Sequence, residues 1–201
     1  MIDTIIFDFG DIFINLNKDA MKNAFHRLGI AEWNTEMTDL NKAFEVGSIS
    51  EEAFLSGFQK HLRHASIDAI RENWNTILMD FPLYRLEFLQ MLSQKYRLYL
   101  LSNTDAIHIK HFEDKVGESF YSSFYQCFEK VYFSFDLGLR KPDAAIFEHV
   151  IQKNNLSPKR TLFVDDKKEN TDAAEKLGLK VWNLKVGQED VVDLFAKKLL
   201  T

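Results

Sequence analysis

Residues 3–10, DTIIFDFG, decide the architecture. β-Branched and aromatic side chains fill a short apolar run that stops at Gly10, the pattern of a buried strand followed by a turn. Downstream the period changes. Met21, Ala24, Phe25 and Leu28 recur at i, i+3, i+4 and i+7, and Gly29 stands where a helix C-cap belongs. Met37, Leu40 and Phe44 carry the helical spacing on to Gly47. Ser48 and Glu51 have the S-x-x-E spacing of a capping box, ahead of Phe54, Leu55, Phe58 and Leu62. Ile67, Ile70, Trp74, Ile77 and Leu78 make a further stripe. Four helices without an intervening strand predict an all-helical insertion over residues 17–82.

Beyond Pro82 one more helix carries Leu83, Leu86, Leu89 and Leu92. Strands are then predicted at 97–102 (RLYLLS), 130–135 (KVYFSF), 161–164 (TLFV) and 180–184 (KVWNL). Helical patterns separate most of them, as at 144–152 and 170–177. Alternating β and α implies a parallel sheet covered on both faces. The expected fold class is α/β: a Rossmann-like core of residues 1–16 and 83–201, interrupted after its first strand.

The 201 residues suit one such core with one insertion, and a chain of this length needs no disulfide or structural zinc to fold. The 46% hydrophobic and 27% charged fractions argue against disorder. Thirty acidic residues stand against 25 basic ones, a balance that offers nothing to nucleic acid. A single cysteine, Cys127, excludes an internal disulfide and suits a reducing, cytoplasmic setting. Asp3 and Asp8 lie inside the first apolar stretch, so a signal peptide or membrane span is not expected there. Oligomeric state is left open.

In open parallel sheets the ligand site lies at the carboxyl ends of the strands. Asp8 follows the first strand, with Gly10 and Asp11 after it. Ser102, Asn103, Thr104 and Asp105 follow the second. Beyond the third lies the run from Gly138 to Asp143, containing Lys141, and the fourth ends at Asp165 and Asp166 with Asn170 nearby. Each residue alone reads as a turn former or a helix cap. Together they place carboxylates, a hydroxyl, an amide and a lysine on one edge.

Neighbouring aspartates invite a hard cation such as Mg²⁺. A carboxylate is also a competent nucleophile toward phosphorus. The obstacle is charge: at ~4 Å and an effective dielectric of ~20, two like unit charges repel by about 4 kcal/mol, close to a thousandfold in rate. A divalent cation and a lysine offset that repulsion, while hydroxyl and amide donors orient the phosphoryl oxygens.

The strings IIFDFGDI, LYLLSNTD, GLRKPDAAIF and LFVDDKKEN resemble, in order, the four motifs of the haloacid dehalogenase superfamily, in its helical-capped phosphatase branch. They span residues 4–170 and leave room for a cap between the first and second. The resemblance implies that Asp8 is the nucleophile and a metal ligand. It implies that Gly10 offers a backbone carbonyl, and Asp166 a carboxylate, to Mg²⁺. Ser102, Asn103 and Lys141 would hold the phosphoryl group of a small phosphorylated metabolite. Asp165 and Asn170 would support them.

Phosphatases of the family usually carry a second aspartate two residues after the nucleophile, as general acid and base. Here that position is Gly10. Such groups typically contribute ~10²–10⁴-fold. The sequence is similar to sugar-1-phosphate phosphatases with a D-x-G-[ND] variant, and the missing acid predicts a preference for leaving groups that need little protonation. Asp11 stands one residue later, where a turn carboxylate commonly accepts backbone N–H groups.

Other features have plainer readings. His108 and His111 share a helix face but lack a further ligand nearby, so a solvated helix is expected. The aromatic series from Phe120 to Phe135 reads as core and strand packing, Lys167–Lys168 as an exposed turn, and Cys127 as a small buried residue. Trp33, Trp74 and the EVGSIS turn around Gly47 fall in the insertion, and that turn is the expected contact with substrate. Two alternatives compete with the phosphatase: a metal-independent 2-haloacid dehalogenase, disfavoured by the Asp165–Asp166 pair, and a binding module that keeps the fold without catalysis.

Overall fold

The computed structural model describes residues 1–62 and 64–200. Its strands are β1 (Thr4–Phe7), β2 (Arg97–Ser102), β3 (Lys130–Phe133), β4 (Thr161–Asp165) and β5 (Lys180–Asn183). All pair in parallel, in the order β3-β2-β1-β4-β5. The chain thus builds outward from β1 on one side and then restarts on the other. Phe7 of β1 lies opposite both Leu100 and Val164. Such a switch in direction opens a crevice beyond the carboxyl ends of the central strands. Asp8 stands there, its backbone N–H donating to Val164 O at 2.9 Å.

Between β1 and β2 come α1 (Lys18–Leu28), α2 (Thr35–Glu45), α3 (Glu51–Gln59), α4 (Ile67–Asn75) and α5 (Leu83–Ser93). Each of the first four begins at a side chain that accepts an N–H of its own first turn: Asn17, Asn34, Ser50 and Ser66. Gly29, at φ +110°, ends α1 in the left-handed conformation that the sequence anticipates. The Ser48–Glu51 box does not form. Because α3 starts at Glu51, Ser50 is its cap, and the Ser48 hydroxyl donates instead to Ala43 O at the end of α2. Phe25, Phe44, Phe54, Phe58 and Trp74 give these helices a core of their own, which Ile107 joins from outside.

Two chain crossings connect this helical insert to the sheet, and they pair with each other. Asn15 N–H donates to Asp80 O, Met79 N–H to Asn15 O and Asn17 N–H to Ile77 O, at 2.8–2.9 Å, with Leu16 opposite Leu78 in an antiparallel bridge.

The remaining helices are α6 (Ala106–Val116), α7 (Glu118–Tyr125), α8 (Ser134–Leu137), α9 (Ala144–Lys153) and α10 (Lys168–Lys176). Side chains alternate along each strand, and both sheet faces are apolar. Ile5, Phe7, Leu98, Leu100, Leu162 and Val164 pack with α5, α6 and α7, while Ile6, Tyr99, Leu101 and Phe163 pack with α9 and α10. The aromatic series divides: Phe120, Tyr121, Phe124 and Tyr125 pair at i, i+4 on α7, and only Lys130–Phe133 is strand. The predicted strand over 130–135 ends early because Ser134 turns the chain into α8. No helix among the described residues is long and apolar enough to cross a membrane.

Candidate active site

The Lys141 ammonium is 1% exposed and lies 2.9 Å from Asp8 Oδ1, 2.7 Å from Asp165 Oδ2 and 2.8 Å from Leu101 O. Its three hydrogens are therefore all met by protein oxygens. Burial alone would strip its proton, but the two carboxylates outweigh burial and hold its pKa above the ordinary lysine value. Asn103 fixes the backbone here: its side-chain carbonyl accepts Lys141 N–H at 2.9 Å and its amide donates to Lys141 O at 2.8 Å. The expected phosphoryl donor thus spends its carbonyl and one amide N–H on positioning Lys141.

Asp165 is fully buried and saturated with donors: Lys141 Nζ, both approaches of Asn170 Nδ2, and the backbone N–H of Lys167 at 2.8 Å. Asp165 and Asn170 stand where the sequence places them, as support for the lysine. Burial pushes Asp8 up to about 6, against the opposing pull of Lys141 and with the help of Asp165.

Asp8, Asp165 and Asp166 each offer a carboxylate oxygen within 4.8 Å of the others. Asp165 is already engaged. The Asp166 backbone carbonyl accepts Asn183 Nδ2 at 2.7 Å, but its carboxylate accepts no hydrogen bond from the described residues, and burial followed by the charge of Asp165 raises its pKa. Three carboxylates against one ammonium leave two negative charges, and the donors are hard oxygens. The set fits a divalent cation of the magnesium type, on Asp8 and Asp166. Gly10 lines the same cavity. A Cβ there would lie 2.8 Å from the Leu16 Cδ1 methyl, so an aspartate at this position requires Leu16 to move.

The cavity in front of Asp8 measures about 180 Å³. Phe9, Gly10, Ser102, Asn103, Asp166 and Lys167 form its sheet side. Lys18, Met21, Asn41, Glu45 and Trp74 close it from the insert, and Leu16 from the passage that leads into it. Asp11 does not line it: Asp11 Oδ1 accepts Leu16 N–H at 3.0 Å, the backbone role anticipated for a turn carboxylate.

The insert is fastened over the cavity at two places. Glu45, at the end of α2, meets Arg140 Nε and Nη2 at 3.0 Å, and its carbonyl accepts the Ser134 hydroxyl at 2.6 Å. Gly47 follows at φ +66°, so close to the core that a Cβ would stand 2.2 Å from Phe135 O. The EVGSIS turn expected to contact substrate therefore reaches the cavity with Glu45, while Gly47 itself meets the core. On the other side, Trp74 Nε1 donates to Asp105 Oδ2 at 2.9 Å.

His108 also departs from its expectation. Its side chain is only 14% exposed and stacks on Trp74, ring centroids 5.2 Å apart and planes 1° from parallel. Asp105, His108 and Arg140 are thus the residues to which sequence reasoning gave no part in holding the insert over the cavity. The available signal was their place: Asp105 follows the SNT run after β2, and Arg140 precedes Lys141.

A parallel sheet switching direction at β1, with Asp8, Lys141 and an aspartate pair at that switch, defines a hydrolase class, and residues 5–184 match the family model for haloacid dehalogenase-like hydrolases. The chain belongs to that family. It is 28% identical over 199 residues to the D-ribitol-5-phosphate phosphatase of Bacteroides thetaiotaomicron, covering 94% of this chain and 95% of the relative. Among solved structures, a family enzyme of B. thetaiotaomicron in complex with magnesium and inorganic phosphate is 30% identical with a TM-score of 0.83, over 94% of this chain and 97% of that one. A predicted hydrolase of the family from Porphyromonas gingivalis is 28% identical with a TM-score of 0.86, over 100% and 99%.

Proposed function

We propose that the protein is a magnesium-dependent phosphatase of a small phosphorylated polyol or sugar, with Asp8 as nucleophile and the helical insert, residues 17–82, as its cap. The carrying observation is Asp8 at the centre of the sheet edge, one oxygen held by Lys141, facing a cavity shared with Asp166. The relative named for D-ribitol 5-phosphate supports the substrate class. The cavity volume supports it too, since about 180 Å³ is below the ~300–1,000 Å³ of drug-sized ligand pockets. That relative's ester is a primary alkyl phosphate, which weighs against a restriction to activated leaving groups.

Asp8 attacks phosphorus as the P–O ester bond breaks, the departing oxygen taking a proton from water; a water molecule then attacks the aspartyl phosphate, gives up a proton, and releases inorganic phosphate with the carboxylate regenerated. Lys141 keeps Asp8 aimed and offsets its charge. Ser102, the remaining amide N–H of Asn103 and the backbone N–H groups of this turn orient the phosphoryl oxygens. Asp8, Asp166 and the Gly10 carbonyl would hold magnesium, which would supply positive charge against the incoming phosphate. The closed insert excludes bulk water from the reacting atoms.

The test is hydrolysis of D-ribitol 5-phosphate and p-nitrophenyl phosphate with and without magnesium, in the wild type and in Asp8→Asn. Hydrolysis that needs magnesium and disappears in the variant supports the assignment. Chloride release from 2-chloropropionate in EDTA would replace it with a dehalogenase, and binding of phosphate without turnover by a binding module.

A further inference from the structure

His108 lies on α6, and both of its ring nitrogens face oxygens. Nδ1 is 3.1 Å from Asp105 Oδ2, and Nε2 is 3.1 Å from the backbone carbonyl of Trp74. Asp105 already accepts the Trp74 indole N–H and the backbone N–H of His108, so its carboxylate acts as an acceptor throughout. A carbonyl oxygen can only accept. Both contacts are hydrogen bonds only when both ring nitrogens carry hydrogen, which is the imidazolium form. The Trp74 carbonyl belongs to the last turn of α4, where the helix dipole favours a cation. The stacked indole face adds to that preference.

We infer that His108 is a positioning residue which, through both ring N–H groups, fastens the cap helix α4 to the core and holds Trp74 as a wall of the reaction cavity. The inference rests on the proposed phosphatase activity only for its kinetic consequence. A neutral ring would leave one nitrogen lone pair facing an oxygen, so deprotonation breaks one of the two bonds. The charged groups around His108 are Asp105 and His111 on its own element and Glu45 from the cap; His111 opposes its charge, while Asp105 and Glu45 favour it. Burial lowers the proton affinity of His108, but Asp105 outweighs it and the balance lies above the ordinary histidine value. The fastening is therefore complete below about pH 6.5 and is lost as pH rises through the higher folded value. None of these groups contacts Asp8 or Asp166 through His108.

The test uses the wild-type protein without a reaction and the variant His108→Gln, which retains one donor but no charge. In nitrogen-resolved NMR spectra of the wild type at about pH 6, below the ordinary histidine value, both His108 ring nitrogens should carry hydrogen. Trp74 fluorescence, isolated by difference from Trp74→Phe, should change in one step above that pH. In His108→Gln the Trp74 fluorescence should lack that step, because the ring whose charge holds the Trp74 carbonyl is gone.

A neutral ring at low pH overturns the inference without any variant. So does a His108→Gln protein that keeps the wild-type fluorescence step. Hydrolysis of p-nitrophenyl phosphate by Asp8 tests the other reading independently: a charged His108 in a protein without turnover defeats the phosphatase and leaves the fastening intact.

Discussion

Lys141 Nζ and Asp165 Oδ2 stand 2.7 Å apart in a place where neither side chain reaches solvent. Charges so buried persist because each has its partner, and removing one leaves the other uncompensated. Replacing Lys141 by Met should therefore destabilise the fold by about 3–5 kcal/mol, the usual cost of breaking a buried pair. Denaturant unfolding without magnesium checks this. Arginine should not rescue it, since a planar guanidinium cannot place three hydrogens on Asp8, Asp165 and Leu101 as the compact ammonium does. An unchanged unfolding midpoint in Lys141→Met would contradict the account.

Asp166 faces the cavity without a protein donor on its carboxylate. Asn in its place keeps the shape and removes the charge. Since even outer partners of metal ligands cost ~10–100-fold in affinity, Asp166→Asn should raise the magnesium needed for half-maximal hydrolysis by at least about tenfold. The measurement is a magnesium titration of p-nitrophenyl phosphate turnover. Thermal stability without the metal should rise or stay level, because a carboxylate disfavoured by burial and by the charge of Asp165 is gone.

The Glu45–Arg140 pair joins insert to core with side chains 14% and 31% exposed. A double-mutant cycle of Glu45→Gln and Arg140→Gln should give a coupling of about 1 kcal/mol, the upper part of the range for pairs near the surface. The coupling should appear in KM more than in kcat, because the pair closes the cavity and does not touch the reacting atoms. Additive effects on both constants would remove Glu45 from that role.

Arg85 reaches across the core to Asp190, with Nη2 2.8 Å from Oδ2, and Tyr84 donates to the same oxygen. Burial raises the Asp190 pKa, but these donors outweigh it and hold the carboxyl below its ordinary value. The sign follows: the unfolded chain binds the proton more readily, so the stabilisation is full above about pH 4 and fades as pH falls through the lower folded value. Asp190→Asn should flatten the acid side of the stability curve between about pH 5 and pH 2. Urea midpoints across that range would show it, and parallel curves would contradict it.

The sheet and the four-helix insert were legible because a buried strand and an amphipathic helix each impose a period on the sequence. DTIIFDFG, the Gly29 stop and the leucine stripe of α5 all carry such a period. The α7 segment was harder, because the aromatics of Phe120–Tyr125 repeat only once at i, i+4, too short a run to separate a helix from the aromatic strand that follows. The residues beside Asp8 could be gathered because strand ends converge on one edge. From the insert, only the EVGSIS turn could be named, and not which of its side chains reaches the cavity. Glu45 and Trp74 come from helices whose orientation over the sheet is set by tertiary packing, and His108 looks like any polar position on α6 until Trp74 is laid against it.

The two passages between sheet and insert are zipped together at Leu16 and Leu78, and this makes them one tether. The insert consequently has a single pivot, and its swing is a bending of that ribbon. Lengthening one passage by a residue while leaving the other intact would throw their side chains out of phase and detune the doorway to Asp8, with every chemical group still in place.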